Sequence, residues 1–277
     1  MGEISNVIAN EVLDHIFNGA GAAYTPPATV YLGLSTTEIL PDGTGNNEPS
    51  GNGYARKAIT FGAASNRSIT QSADVTFDQA SGPWGTLAYF GIWSALTAGT
   101  LLAVGTLGTP KSVVAGNTPS VASGQCVISF QTLGTKGTGE NITDYLANKI
   151  LDFVFRNQTF TQPAIYVGLW TATLDDASTG ATAGECSGNN YARKLVNANG
   201  GSAPTWNLSV SQIVDNTNTI TMPTSSGSWG TVVSMALLDA ASSGNMLCYD
   251  NTNVVDQAVA LNDTVQFAAG ALEVSLT

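Results

Sequence analysis

The chain has 277 residues, of which 10% are charged, 43% are hydrophobic and 30 are glycine, and its net charge is −11. That apolar content excludes a disordered chain, and the acidic surface repels phosphate backbones, which excludes a nucleic-acid partner. The charge is unevenly placed: residues 1–138 hold 5 Lys/Arg against 8 Asp/Glu, and residues 139–277 hold 4 against 12.

The first predicted element is an amphipathic helix. Ile4, Ile8, Val12 and Ile16 recur at a spacing of four with Val7 and Leu13 alongside, so one face of a helix over 4–17 is apolar. Asn18 and Gly19 tolerate the left-handed turn that ends a helix. Helical periodicity then stops. Short apolar alternations follow at 29–34, 58–61, 73–77, 87–93, 101–107 and 126–130, separated by Gly, Asn and Ser turns. Several short strands of that kind predict an antiparallel sandwich or barrel, with the helix covering an edge or an open face of the sheet.

The same order then recurs. A second helix is predicted from Ile142, Leu146, Ile150 and Val154, with Asn157 at its end, and strands follow at 164–170, 207–210, 219–222, 231–238, 246–249 and 272–276. Phrases recur with the elements. Gly51 to Lys57 reads GNGYARK and Gly188 to Lys194 reads GNNYARK; Tyr31-Leu32-Gly33-Leu34 answers to Tyr166-Val167-Gly168-Leu169, and Trp84-Gly85-Thr86 to Trp229-Gly230-Thr231. Asn10, Asp14 and Phe17 of the first helix fall on Asn148, Asp152 and Phe155 of the second without a gap. The chain is therefore a duplicated module. The expected class is mainly β: two tandem antiparallel β-sandwich modules, each with one N-terminal α-helix, over residues 1–134 and 142–277. Residues 135–141, rich in Gly and Thr, form the linker.

Residues 79–110 carry no charge, which raises the question of a membrane span. The matching stretch of the second copy contains Asp239 and Asp250, so strand, turn, strand is expected, and no membrane partner. The N-terminus has neither a basic start nor an apolar core, so no secretory signal is expected. Cys126, Cys186 and Cys248 face Leu272, Pro49 and Ala103 in the other copy. A disulfide or zinc framework would be duplicated with its module, so neither is expected. Cys126 and Cys248 read as buried thiols and Cys186 as an exposed one.

Chemistry is sought with little return. His15 is the single histidine and its counterpart is Phe153, so a module-level Ser-His-Asp or Cys-His site lacks its base and His15 reads as a helix-face residue. No enzyme is expected. No phosphate loop is present, and no cofactor is expected. The loops 38–48 and 175–185 offer carboxylates that could hold calcium, although their spacing matches no EF-hand. Arg56 and Arg193 of the repeated phrase are expected to tie down acids retained in both copies, as an Arg56–Asp14 pair and an Arg193–Asp152 pair; the alternative is a contact with a partner's carboxylate. Trp84 and Trp229 read as core lids. Trp170 and Trp206 occur in the second copy alone and are the candidates for contact with a glycan or protein partner.

As a set, Asn10 to Phe17, Tyr24 to Leu34, Gly53 to Phe61, Ala73 to Phe77, Trp84 to Thr86 and Thr109-Pro110-Lys111 resemble the small bacteriophage virion proteins known as phage tail fibre proteins. The resemblance covers nearly all of the first copy. In the second, Pro110-Lys111 has no counterpart and Phe61 aligns with Asn197. The resemblance implies a non-enzymatic structural protein exposed on the virion, a tail-fibre-like, adaptor or capsid-decoration subunit that binds other virion proteins, with Lys111 a candidate contact. No heptad, collagen or β-helix period marks a fibre shaft. Two compact modules suit an adaptor or capping subunit, expected as a homo-oligomer. The alternative is a receptor-recognition module for a host surface glycan.

Overall fold

The structure is a computed structural model that describes residues 2–18, 23–130, 140–197, 205–252, 254 and 256–276. Residues 135–139 of the expected linker lie outside these. The chain divides into two compact units. Unit 1 gathers Met1–Ala9, Thr25–Phe130 and Asn148–Phe160; unit 2 gathers Asn10–Tyr24, Gln131–Ala147 and Thr161–Thr277. Each unit is thus one repeat's strands completed by the helix end of the other repeat.

Unit 1 contains β1 (Gly2–Ile4), β2 (Val30–Ser35), β3 (Lys57–Ile59), β4 (Ser68–Thr70), β5 (Val75–Thr76), β6 (Gly85–Trp93), β7 (Leu101–Val113), β8 (Ser120–Val121) and β9 (Val127–Ser129). Seven of them form one sheet in the order β3-β2-β6-β7-β1-β9-β4, and β5 pairs with β8. The pairing is antiparallel except at Gly2↔Ile128, where β1 meets β9 in parallel, so the sheet is not purely antiparallel as the sequence suggested. The long ribbon β6–β7 shifts register between Leu87 and Tyr89, the kind of irregularity that bends a strand and tightens its twist. Val30, Leu32 and Leu34 of β2 are buried with Phe90 and Ile92 of β6.

Unit 2 contains β10 (Glu140–Ile142), β11 (Ile165–Trp170), β12 (Lys194–Asn197), β13 (Ile213–Asp215), β14 (Ile220–Thr221), β15 (Gly230–Val232), β16 (Ser234–Leu238), β17 (Met246–Asp250), β18 (Gln257–Val259), β19 (Gln266–Phe267) and β20 (Glu273–Ser275). Its main sheet runs β10-β17-β16-β11-β12, and β13/β20, β14/β19 and β15/β18 pair separately. The ribbon that is continuous in unit 1 is interrupted here at Val233, whose N–H turns to Trp170 O at 2.9 Å. The expected strand at 207–210 forms only one arm of a tight hairpin, through Val210 and Ile213.

Both helices begin one element later than periodicity implies. Ile4 and Ile142 are strand residues, paired with Ala103 and Cys248. Helices α1 (Asn6–Leu13) and α2 (Asp144–Arg156) start after Ser5 and Thr143. The Ser5 and Thr143 hydroxyls accept the Ile8 and Leu146 N–H groups at 3.3 Å each and donate to Leu101 O and Met246 O at 2.5 Å each. A buried hydroxyl thus caps the helix and stitches it to a strand in one step. Past α1 the chain continues as a wide π-type turn, Asp14–Asn18, with His15, Ile16 and Phe17 buried. Asn157 ends α2 at φ 51°, as its side chain permits.

Candidate functional site

The doubled phrase builds the same small structure twice. Asn52 and Asn189 take φ 50° and 47°, and the turn closes when the Tyr54 and Tyr191 N–H groups donate to Gly51 O and Gly188 O at 2.9 and 2.7 Å. Asparagine tolerates that conformation and its amide is used too, donating to Pro83 O or Ser228 O at 3.0 or 2.7 Å. The same turn receives a tryptophan: Trp84 and Trp229 Nε1 donate to Asn52 O and Asn189 O, each at 2.9 Å. Their rings meet Tyr54 and Tyr191 edge to face, with centroids 5.2 and 5.3 Å apart. The tyrosine hydroxyls reach into the sheet and accept the Leu34 and Leu169 N–H groups at 2.8 and 2.9 Å. Burial raises both phenol pKa values well above the ordinary 10.0.

Two residues further on stands a buried arginine. Arg56 Nε donates to both oxygens of Glu48 at 2.9 and 3.1 Å, and Nη1 donates to Ala95 O and Ala98 O at 3.1 and 2.6 Å. Arg193 meets Glu185 through Nε at 2.7 Å and Nη2 at 2.8 Å, while its other donors take Ala240 O, Ser243 O and Gly180 O at 2.9, 2.7 and 2.8 Å. Each guanidinium lies over a tryptophan: Trp93 is 3.8 Å from Arg56 Cζ and Trp170 is 5.7 Å from Arg193 Cζ. The tryptophans come from adjacent strands. Trp93 sits on β6 and pairs with Tyr31, where the second repeat pairs Leu238 with Tyr166; Trp170 sits on β11 opposite Ser234, where the first repeat has Ser35 opposite Tyr89. The large and small residues have changed places across the ribbon while the stack on the arginine is kept.

These contacts correct several expectations. The Arg56–Asp14 and Arg193–Asp152 pairs do not form, because a glutamate eight residues upstream in each loop is already in place. Asp14 instead accepts the Ser209 N–H at 2.6 Å, and Asp152 accepts the Ala64 N–H at 2.9 Å and Arg156 Nη1 at 2.9 Å. Trp170 and Trp206 are 0% and 3% exposed, so neither is a surface platform for a glycan or a partner. Trp206 packs on Phe17 with centroids 4.8 Å apart, as Phe61 packs on Phe155 at 5.5 Å. The bridges Phe61↔Gln71 and Trp206↔Asn216 match as well, so Trp206, not Asn197, stands in the place of Phe61. Cys186 is buried, not exposed. Lys111 is exposed on β7 opposite Leu87.

The site residues that sequence reasoning missed are Glu48 and Glu185. Their identical offset of eight residues from Arg56 and Arg193 is the signal the sequence offers for the pairing. Three further loop carboxylates are also turned to protein donors: Asp42 to Thr44, Asp175 to Ser178, and Asp176 to the Tyr249 hydroxyl at 2.7 Å. Among the described residues no group of three or more His, Cys, Asp or Glu is placed to hold a metal ion, and no helix is long and apolar enough to cross a membrane. Burial raises the Cys126 thiol to about 12, Cys248 to about 12, and Cys186, with the charge of Glu185 adding, to about 11. Protonated thiols in the core are poor nucleophiles. What the doubled site does chemically is brace a turn, a loop and a sheet edge.

The model of one protein family, podophage GP4 fiber I protein gp80, matches residues 3–129 and again residues 141–275. The chain belongs to this family, as two tandem copies. Membership makes it a structural component of a phage virion. No curated protein matches the chain. The two matched regions each contain one turn–tyrosine–arginine brace, so in this fiber protein the brace is a property of the repeat.

Proposed function

We propose that the chain is a non-enzymatic fibre or adaptor subunit of the particle, working by binding other virion proteins through its two repeats. One observation carries the reading: the residues written identically into both repeats, Tyr54 and Tyr191, Arg56 and Arg193, Trp84 and Trp229, are spent on internal braces. What the duplication keeps is a scaffold, and the exposed residues that vary between copies are left to face partners. Lys111, exposed and without a counterpart in the second repeat, is one such surface residue.

The glycan-receptor reading loses its candidate residues with the burial of Trp170 and Trp206. Capsid decoration remains the competitor within the virion class. Gold-labelled antibody against the chain, viewed on intact particles by electron microscopy, separates the two. Label confined to fibres or their attachment point is expected. Label spread over the head would make the chain a decoration protein and overturn the fibre reading.

A further inference from the structure

The helix ends carry a contact that the brace does not explain. In unit 2, Asn10 Oδ1 accepts the Gln212 N–H at 2.7 Å and the Ser209 hydroxyl at 2.6 Å, Asp14 Oδ1 accepts the Ser209 N–H at 2.6 Å, and Phe17 packs on Trp206. In unit 1, Asn148 Oδ1 accepts the Arg67 N–H at 3.0 Å, Asp152 Oδ1 accepts the Ala64 N–H at 2.9 Å, and Phe155 packs on Phe61. The same three side chains do the same work in both units.

The receiving surface is also the same. Ser65 and Ser68 exchange backbone hydrogen bonds at 2.9 and 3.0 Å, as Val210 and Ile213 do at 2.9 and 3.1 Å. The central residues, Asn66 and Arg67 or Ser211 and Gln212, all have positive φ between 49° and 63°, which defines a two-residue hairpin turn of the primed kind. None is glycine, so each turn holds mild strain, and the N–H of its second central residue is the one the asparagine captures. The part of the recognition common to both units is by backbone N–H groups, which are indifferent to the differing side chains of the two turns; the Ser209 hydroxyl adds one bond in unit 2.

We infer that each turn is a docking surface for the helix end of a repeat, whichever copy supplies it, so that its occupant is a second copy of the repeat. The arrangement is isologous, the same pair of patches used twice. A pair of first repeats would place Phe17 on Phe61 where Phe155 now sits, and a pair of second repeats would place Phe155 on Trp206. The covalent joint then supplies effective concentration, and the contact itself does not need it.

The test uses the full chain with a protease site placed in the sequence from Gly134 to Glu140. The folded protein is cleaved there, diluted, reconcentrated and measured by native mass spectrometry, where the two fragments differ in mass. Pairs of first with second repeats are expected, together with first–first and second–second pairs. Fragments that separate as monomers would overturn the contact, and exclusive first–second pairing would overturn its self-complementarity. In the cleaved N10A/D14A/N148A/D152A chain, pairing should weaken by about two orders of magnitude or more, since each substitution strips a hydrogen-bonded backbone group. Leu261→Ala, at a position 61% exposed, should leave pairing unchanged; equal weakening by both would also overturn the proposal.

Discussion

Arg193 meets Glu185 through two parallel hydrogen bonds, Nε to Oε1 at 2.7 Å and Nη2 to Oε2 at 2.8 Å, and the arginine side chain is 1% exposed. Fork-to-fork geometry makes this the better formed of the two braces, since Arg56 reaches Glu48 through Nε alone. Breaking such a pair on one side leaves a buried charge without its partner, at about 3–5 kcal/mol in full burial. Glu185 is 24% exposed, which discounts the figure. Arg193→Ala, and Glu185→Gln, which leaves the 1% exposed guanidinium without its countercharge, should therefore each cost about 2–3 kcal/mol in urea unfolding. Equal, negligible losses would show that the brace is dispensable.

Asp14 and Asp152 should matter for a different reason. Each caps the turn of the other repeat, so Asp14→Ala should expose the Ser209 amide and Asp152→Ala the Ala64 amide to hydrogen exchange. Each should lower stability by about 1–2 kcal/mol. Exchange that quickens at Arg56 and not at these turns would contradict the assignment.

All five tryptophans are at most 8% exposed. Native fluorescence should therefore be blue-shifted and resistant to iodide quenching, and added saccharides should leave it unchanged. Strong quenching would place at least one indole on the surface.

The buried thiols set an alkaline limit. Cys126 and Cys248 rise from an ordinary 9.0 to about 12 in the folded chain. A group raised by folding contributes fully below its unfolded pKa, and that contribution is lost as pH climbs toward the folded value. Melting temperature should thus fall as pH rises from about 9 toward 12, and the fall should be shallower in a C126A/C248A chain. None of the three thiols should react with a thiol reagent at pH 8 until denaturant is added.

Much of this was legible in the sequence. The duplication, the two helices and the strands around Tyr31 and Tyr166 could be read because periodicity and recurring phrases extend over many residues. The three-residue strands before each helix could not, since Gly2–Ile4 is too short to alternate and Ile4 also fits the helical spacing. Asp14 and Asp152 stand out in the sequence as acids retained in both repeats, but their partners do not. A carboxylate's partner is set by what folding brings near, and here that is a backbone N–H on a turn of the other repeat, which sequence does not mark. Trp206 is hidden as the counterpart of Phe61 by extra residues before it, and the matching bridges to Gln71 and Asn216 reveal the equivalence.

The exchanged helix ends impose an order on synthesis. The turn holding Ala64 waits for Asp152, 88 residues later, and Asp14 waits for Ser209, 195 residues later. At a ribosomal pace of about 5–20 residues per second, the first repeat stands open on the order of ten seconds before the residue that closes it is made. During that interval Phe61 lacks its Phe155 cover, and the nascent chain offers a neighbouring ribosome's product the same vacancy. Writing both repeats into one message places the correct occupant nearest, so the gene order itself guards the chain against pairing with strangers.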